Sequence, residues 1–130
     1  MRPITSQTRI CAALTVIIIL LCADIAPVSA HSFPVEQRPA AGQKLAASPN
    51  SVTIRFDAPV EKLFAKMEVL DAAGKDHVVG APEVSSNGLE LSSKVASLPP
   101  GKYTVKWAVV CVDTHHTRGS YSFSIGGGGI

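Results

Sequence analysis

Gly101-Lys102-Tyr103-Thr104-Val105-Lys106-Trp107-Ala108-Val109-Val110-Cys111-Val112 is the stretch that decides the fold. From Lys102 to about Val112, Tyr103, Val105, Trp107, Val109 and Cys111 fall on one side, and Lys102, Thr104, Lys106 and Ala108 on the other. A period of two is the signature of a half-buried strand. Leu98-Pro99-Pro100-Gly101 marks the reversal that introduces it. Downstream, Tyr121, Phe123 and Ile125 alternate with Ser120, Ser122 and Ser124, which predicts a last strand over residues 120–125. Upstream, Val52, Ile54 and Phe56 alternate with Thr53 and Arg55 within Ser51 to Phe56, and Met67 and Val69 belong to another run, closed by Asp71-Ala72-Ala73-Gly74.

Ser85-Ser86-Asn87-Gly88 reads as a hairpin, because Asn-Gly accepts the positive φ angles of a tight turn, and Leu89 and Leu91 open the strand that follows it. Residues Pro59 to Lys66 hold a loop or one helical turn. About seven short strands with almost no helical periodicity predict an all-β Greek-key sandwich or barrel.

The first thirty residues carry a different pattern. Arg2 and Arg9 precede an apolar run from Ile10 to Ala23 broken only by Thr15, and Ala26, Val28 and Ala30 follow around Pro27. This is the order of parts in a secretory signal peptide cut after Ala30. The apolar run falls short of the roughly 20 residues a spanning helix needs, so no membrane span is expected after cleavage. Leu21 precedes Cys22, whereas lipid-bearing cysteines follow a small residue, so lipid attachment is not expected. The organisation expected is a cleaved leader over 1–30, one β-domain over 31–125 and a glycine-rich tail over 126–130.

Of twelve basic and ten acidic side chains, the leader takes Arg2, Arg9 and Asp24, leaving ten against nine. That balance gives no reason to expect nucleic acid or an anionic membrane as a partner. Loss of Cys11 and Cys22 leaves Cys111 alone, so no internal disulfide framework is possible. Phosphate-cradling loops and nucleophilic triads are absent from the pattern, and the chain is not expected to be an enzyme.

Cleavage after Ala30 would make His31 the N-terminus, with an α-amine and an imidazole able to chelate one ion. Asp113-Thr114-His115 adds a carboxylate and a second imidazole two residues apart. Residues two apart in an extended chain project to the same side, which lets this pair aim at one point, with His116 turned away and exposed. Nitrogen-rich tetragonal sites with an oxygen donor suit copper(II), which heads the Irving–Williams order. Zinc would more often recruit four tetrahedral ligands. Local pattern does not bring residue 31 to this strand end.

The chain resembles the CopC family of periplasmic copper-binding proteins over nearly all of residues 31–125. The matching pieces are His31, Arg38-Pro39-Ala40-Ala41-Gly42, Val52-Thr53-Ile54-Arg55-Phe56, the run from Pro100 to Trp107, Val112-Asp113-Thr114-His115, and Gly119-Ser120-Tyr121-Ser122-Phe123. The resemblance implies a cupredoxin-like, immunoglobulin-like Greek-key barrel holding one Cu(II) ion per chain through His31, Asp113 and His115. It further implies a periplasmic copper chaperone or store in resistance, homeostasis or import, with an inner-membrane copper transport protein as a partner. A monomer is expected.

Three departures bear on that reading, one being His116, which stands where the family often has proline. Met67 is the only methionine outside the leader, so a thioether Cu(I) site is not expected, and His77 reads as a solvated loop histidine. Asp57-Ala58-Pro59 stands where some members place a glutamate, so that extra oxygen is expected to be missing. Cys111 reads as a buried, inert thiol, and Tyr103 and Trp107 as core beneath the site. The alternatives are a histidine-brace copper oxidase resembling lytic polysaccharide monooxygenases, and a metal-free immunoglobulin-like interaction module. The oxidase is disfavoured because aromatic residues are few and Tyr103, Trp107, Tyr121 and Phe123 are needed for the core.

Overall fold

The computed structural model describes residues 32–127. The leader, His31 and the end of the glycine tail lie outside the described residues. Eight strands form two four-stranded sheets, and one 3-10 turn, Lys62–Phe64, is the only helical element described. The first sheet runs β1 (Pro34–Arg38), β3 (Ser51–Phe56), β6 (Glu90–Val95), β5 (Val78–Val84). The second runs β2 (Lys44–Leu45), β8 (His116–Ile125), β7 (Gly101–Val110), β4 (Lys66–Leu70). This is the sandwich that the alternation predicts, with one strand more than the expected seven.

The core lies between the sheets, and the residues that alternate inward build it. Val52, Ile54 and Phe56 of β3 and Leu91 of β6 meet Val69, Tyr103, Val105, Trp107, Val109 and Phe123 from the second sheet. Phe56 and Trp107 meet edge to face at 5.2 Å, a geometry that adds a quadrupolar term to the burial of both rings. Trp107 lies over Gly119, its register partner on β8; a Cβ there would stand 2.6 Å from the indole. Glycine at this position is what lets the large ring lie flat.

The predicted hairpin forms: Gly88 has φ 76 and its N–H donates to the Ser85 carbonyl at 2.9 Å. Its carbonyl in turn accepts from Val60, which anchors the Pro59 loop. The last strand begins four residues earlier than expected, at His116 instead of Ser120. Residues 116–119 lack a clean apolar alternation, but pairing with Ala108, Val109 and Val110 satisfies their backbone groups. Gly126, read as tail, is tied down by its N–H to the Leu45 carbonyl.

Candidate metal centre

Asp113 and His115 are brought together, though not by strand geometry. β7 ends at Val110, and the chain reverses through Cys111 to His115. The Thr114 N–H donates to the Cys111 carbonyl at 2.9 Å, and the Cys111 N–H donates to the His115 carbonyl at 2.8 Å. Thr114 takes φ 75, a left-handed conformation uncommon for a β-branched residue. The turn, and not the same-side projection of an extended chain, sets the pair. The Asp113 Oδ1 accepts the His115 N–H at 3.3 Å, and Oδ2 stands 3.1 Å from Nδ1 of the ring. Burial pushes the Asp113 carboxyl upward, but the bonds from the His115 backbone and ring outweigh it and hold the group below the ordinary carboxylate value.

Two donors do not make a site. Among the described residues no three His, Cys, Asp or Glu side chains gather where they could hold one ion. His31 lies outside the described residues, but its chain neighbours do not. Ser32 is fully buried, its N–H donating to the Cys111 Sγ at 3.1 Å and its hydroxyl to the Pro59 carbonyl at 3.4 Å. The Phe33 N–H donates to the Asp57 Oδ1 at 2.7 Å, and the Phe33 carbonyl accepts the Asp57 N–H at 2.9 Å. Four bonds thus clamp residues 32 and 33 between the end of β3 and the start of the Cys111 turn.

This clamp is the part that sequence reading missed. Asp57, read as a missing oxygen, places its carboxylate on the N-terminal segment. A lone Asp after a strand signals a turn, but nothing local reveals a partner 24 residues away. Cys111 is buried as expected, at 2% exposure, yet its sulfur acts as an acceptor that fastens the segment.

His77 corrects the expectation of a solvated loop. Its side chain is 14% exposed, its Nε2–H donates to the Asp71 Oδ2 at 2.8 Å, and its ring meets Tyr103 edge-on at 5.7 Å. Asp71 accepts that bond and two backbone N–H bonds, from Lys75 and Ala73, and the ring bond contributes most to holding its carboxyl below the usual range. This pair fastens the β4–β5 connection and does not face the Asp113 turn. His116 is exposed, as expected. Tyr103, Trp107, Tyr121 and Phe123 are all buried, so none of them forms an aromatic platform at the surface.

An eight-stranded sandwich carrying a carboxylate–imidazole turn at one end, with the N-terminal segment clamped beside it, defines a class of small binding domain. The chain belongs to the CopC family: residues 34–126 match the CopC domain. Protein YobA of Escherichia coli strain K12 is 35% identical over 100 residues, which cover 75% of this chain and 81% of that protein. The crystal structure of CopC from Methylosinus trichosporium OB3b superposes with a TM-score of 0.71 at 34% identity, covering 77% of this chain and 98% of the other. The copper transport protein CutJ of Bacillus subtilis strain 168 is 29% identical over 99 residues, and this chain spans only 18% of its length.

Proposed function

We propose that the chain is exported, cut after Ala30, and binds one Cu(II) ion through the His31 amine and imidazole, the Asp113 carboxylate and the His115 imidazole. The observation that carries this reading is the seat of Ser32. Its N–H is bonded to the Cys111 sulfur, two residues before Asp113. Ser32 is the chain neighbour of His31, and its seat beside the Asp113 turn is what supports enlisting the N-terminal residue as a ligand. The donor set fits copper(II): nitrogen-rich, with one hard anionic oxygen, and without a thiolate free to reduce the ion.

The ion is cargo. A terminal chelate and a turn at the rim of the fold, with His115 55% exposed, suit uptake and release more than permanent burial. The protein works in the periplasm as a monomeric copper chaperone or store, serving resistance, homeostasis or import, and exchanges its ion with an inner-membrane copper transport protein. Kinship with the CopC of Methylosinus and with the copper transport protein of Bacillus supports this assignment.

The test is an electron paramagnetic resonance titration of Cu(II) into the exported chain beginning at His31, beside one with an extra methionine before it. A single tetragonal, nitrogen-rich signal saturating at one equivalent, and lost or broadened in the extended chain, is expected. Identical spectra from both chains would remove the N-terminal site and favour a metal-free interaction module.

A further inference from the structure

The geometry points to the outer face of the β2-β8-β7-β4 sheet as a docking plate for an anionic phospholipid bilayer. The near-neutral charge of the whole domain conceals a segregation that only register reveals. On this face Lys66 and Arg118 flank Ala108, and Lys44 and Lys102 flank Ser124. Lys106 lies between these two rows, with Ser120 on one side and Glu68 on the other. Glu68 is the one acid in these rows, and among the described residues none of these five cations forms an ion pair. The opposite sheet behaves differently: Glu36, Arg38, Arg55 and Glu90 there neutralise one another.

Between the cations the floor of the plate is built of small side chains, Thr104, Ala108, Ser120, Ser122 and Ser124, and an open concavity around Ala108 and Ser120 is rimmed by Lys66, Lys106, Arg118 and Glu68. Strand spacing puts the flanking cations of one row about 10 Å apart, and the rows run about 20 Å along β7. Cations spread over three rows of hydroxyl-bearing and small side chains, without carboxylate partners among the described residues, match the repeated phosphates of a headgroup surface.

One edge adds an apolar element. In the 3-10 turn Leu63 is 89% exposed and Phe64 59%, with Lys62 before them and Lys66 two residues after. Leu63 and Phe64 line one shallow concavity together with Lys66, Ala108, His116 and Arg118, so the apolar edge and the cationic plate form one surface. Large apolar side chains beside a basic patch supply the two signals that reversible membrane association requires. The Cys111–His115 turn follows directly from this end of β7, so docking would hold it near the bilayer surface.

The test is flotation of the exported, metal-free protein with phosphatidylcholine vesicles, with and without phosphatidylglycerol, and it is independent of whether copper binds. Each cation near an anionic surface multiplies partitioning by about fivefold. Binding to the phosphatidylglycerol vesicles alone is expected, lost between 0.05 and 1 M salt as the screening length falls from above 10 Å to about 3 Å. The double variant Lys66→Glu/Arg118→Glu should bind at least about 25-fold more weakly. Leu63→Ser/Phe64→Ser should also weaken it, whereas Lys94→Glu on the opposite sheet should not. Unchanged binding of the Lys66→Glu/Arg118→Glu variant would overturn the proposal. So would a protein that ignores both vesicles at low salt, and its retention on immobilised polyglutamate would then reassign the plate to an acidic protein.

Discussion

The clamp makes a quantitative prediction through Asp57, a residue that is not itself proposed as a ligand. Substituting Asp57→Ala removes the 2.7 Å bond from the Phe33 N–H while sparing the two bonds of Ser32. Fixing one residue's backbone costs roughly 1–2 kcal/mol, so a freed segment must be ordered again each time the ion binds. The remaining bonds hold Ser32, and the Asp57 backbone N–H still holds the Phe33 carbonyl, so at most one residue's worth of order is at stake, up to about 1 to 1.5 kcal/mol. That corresponds to roughly five- to tenfold weaker Cu(II) binding, most of it in the dissociation rate. Asp57→Asn keeps an acceptor oxygen and should stay within about twofold of the parent. The assay is competition for Cu(II) against a chelator of known affinity, with electron paramagnetic resonance to confirm that the donor set is unchanged. Equal affinities for parent, Asp57→Asn and Asp57→Ala would show that the clamp does not orient the terminus. A changed spectrum in Asp57→Ala would instead make Asp57 a ligand.

Gly119→Ala drives a Cβ to within 2.6 Å of the Trp107 ring, and overpacking of this kind destabilises by about 1–3 kcal/mol. Its melting temperature, read by circular dichroism, should fall by roughly 4–8 °C for each kcal/mol. Cys111→Val removes the acceptor for the buried Ser32 N–H, which should destabilise by about 1–3 kcal/mol in denaturant titrations and weaken Cu(II) binding in parallel. The Asp71 carboxyl is held below the ordinary carboxylate range, chiefly by its bond to His77, so it stabilises the fold above that range and the contribution is lost as the pH falls through the lowered value. Acid unfolding of Asp71→Asn should therefore be shallower than the parent's below about pH 4, although the variant is less stable at neutral pH.

The alternation of β3, β7 and β8 made the sandwich legible because each strand packs one face on the core, and such strands record burial every second residue. Asn87-Gly88 and the Pro99-Pro100-Gly101 reversal were legible because φ angles and missing donors are properties of the residues themselves. The start of β8 at His116 was not legible. Residues 116–119 pair through backbone groups that every residue carries, and Gly119 is there for Trp107, a neighbour twelve positions back.

By itself the sequence determined the alternating strands β3, β4, β6, β7 and the second half of β8, the inward-facing core and the Asp113–His115 spacing, since each is encoded in neighbours along the chain. Tertiary structure alone decided three further things. The Asp113 pair is set by a turn with Thr114 at φ 75, His77 is folded onto Asp71 and Tyr103, and the segment after residue 31 is locked to Cys111 and Asp57. It also sorted a balanced set of charges onto opposite sheets. The Asp113 turn and the His77–Asp71 pair are local contacts whose geometry is fixed by the fold around them. The clamp joins residues 24 and 79 positions apart and the charge sorting follows strand order, neither of which a pattern of near neighbours records.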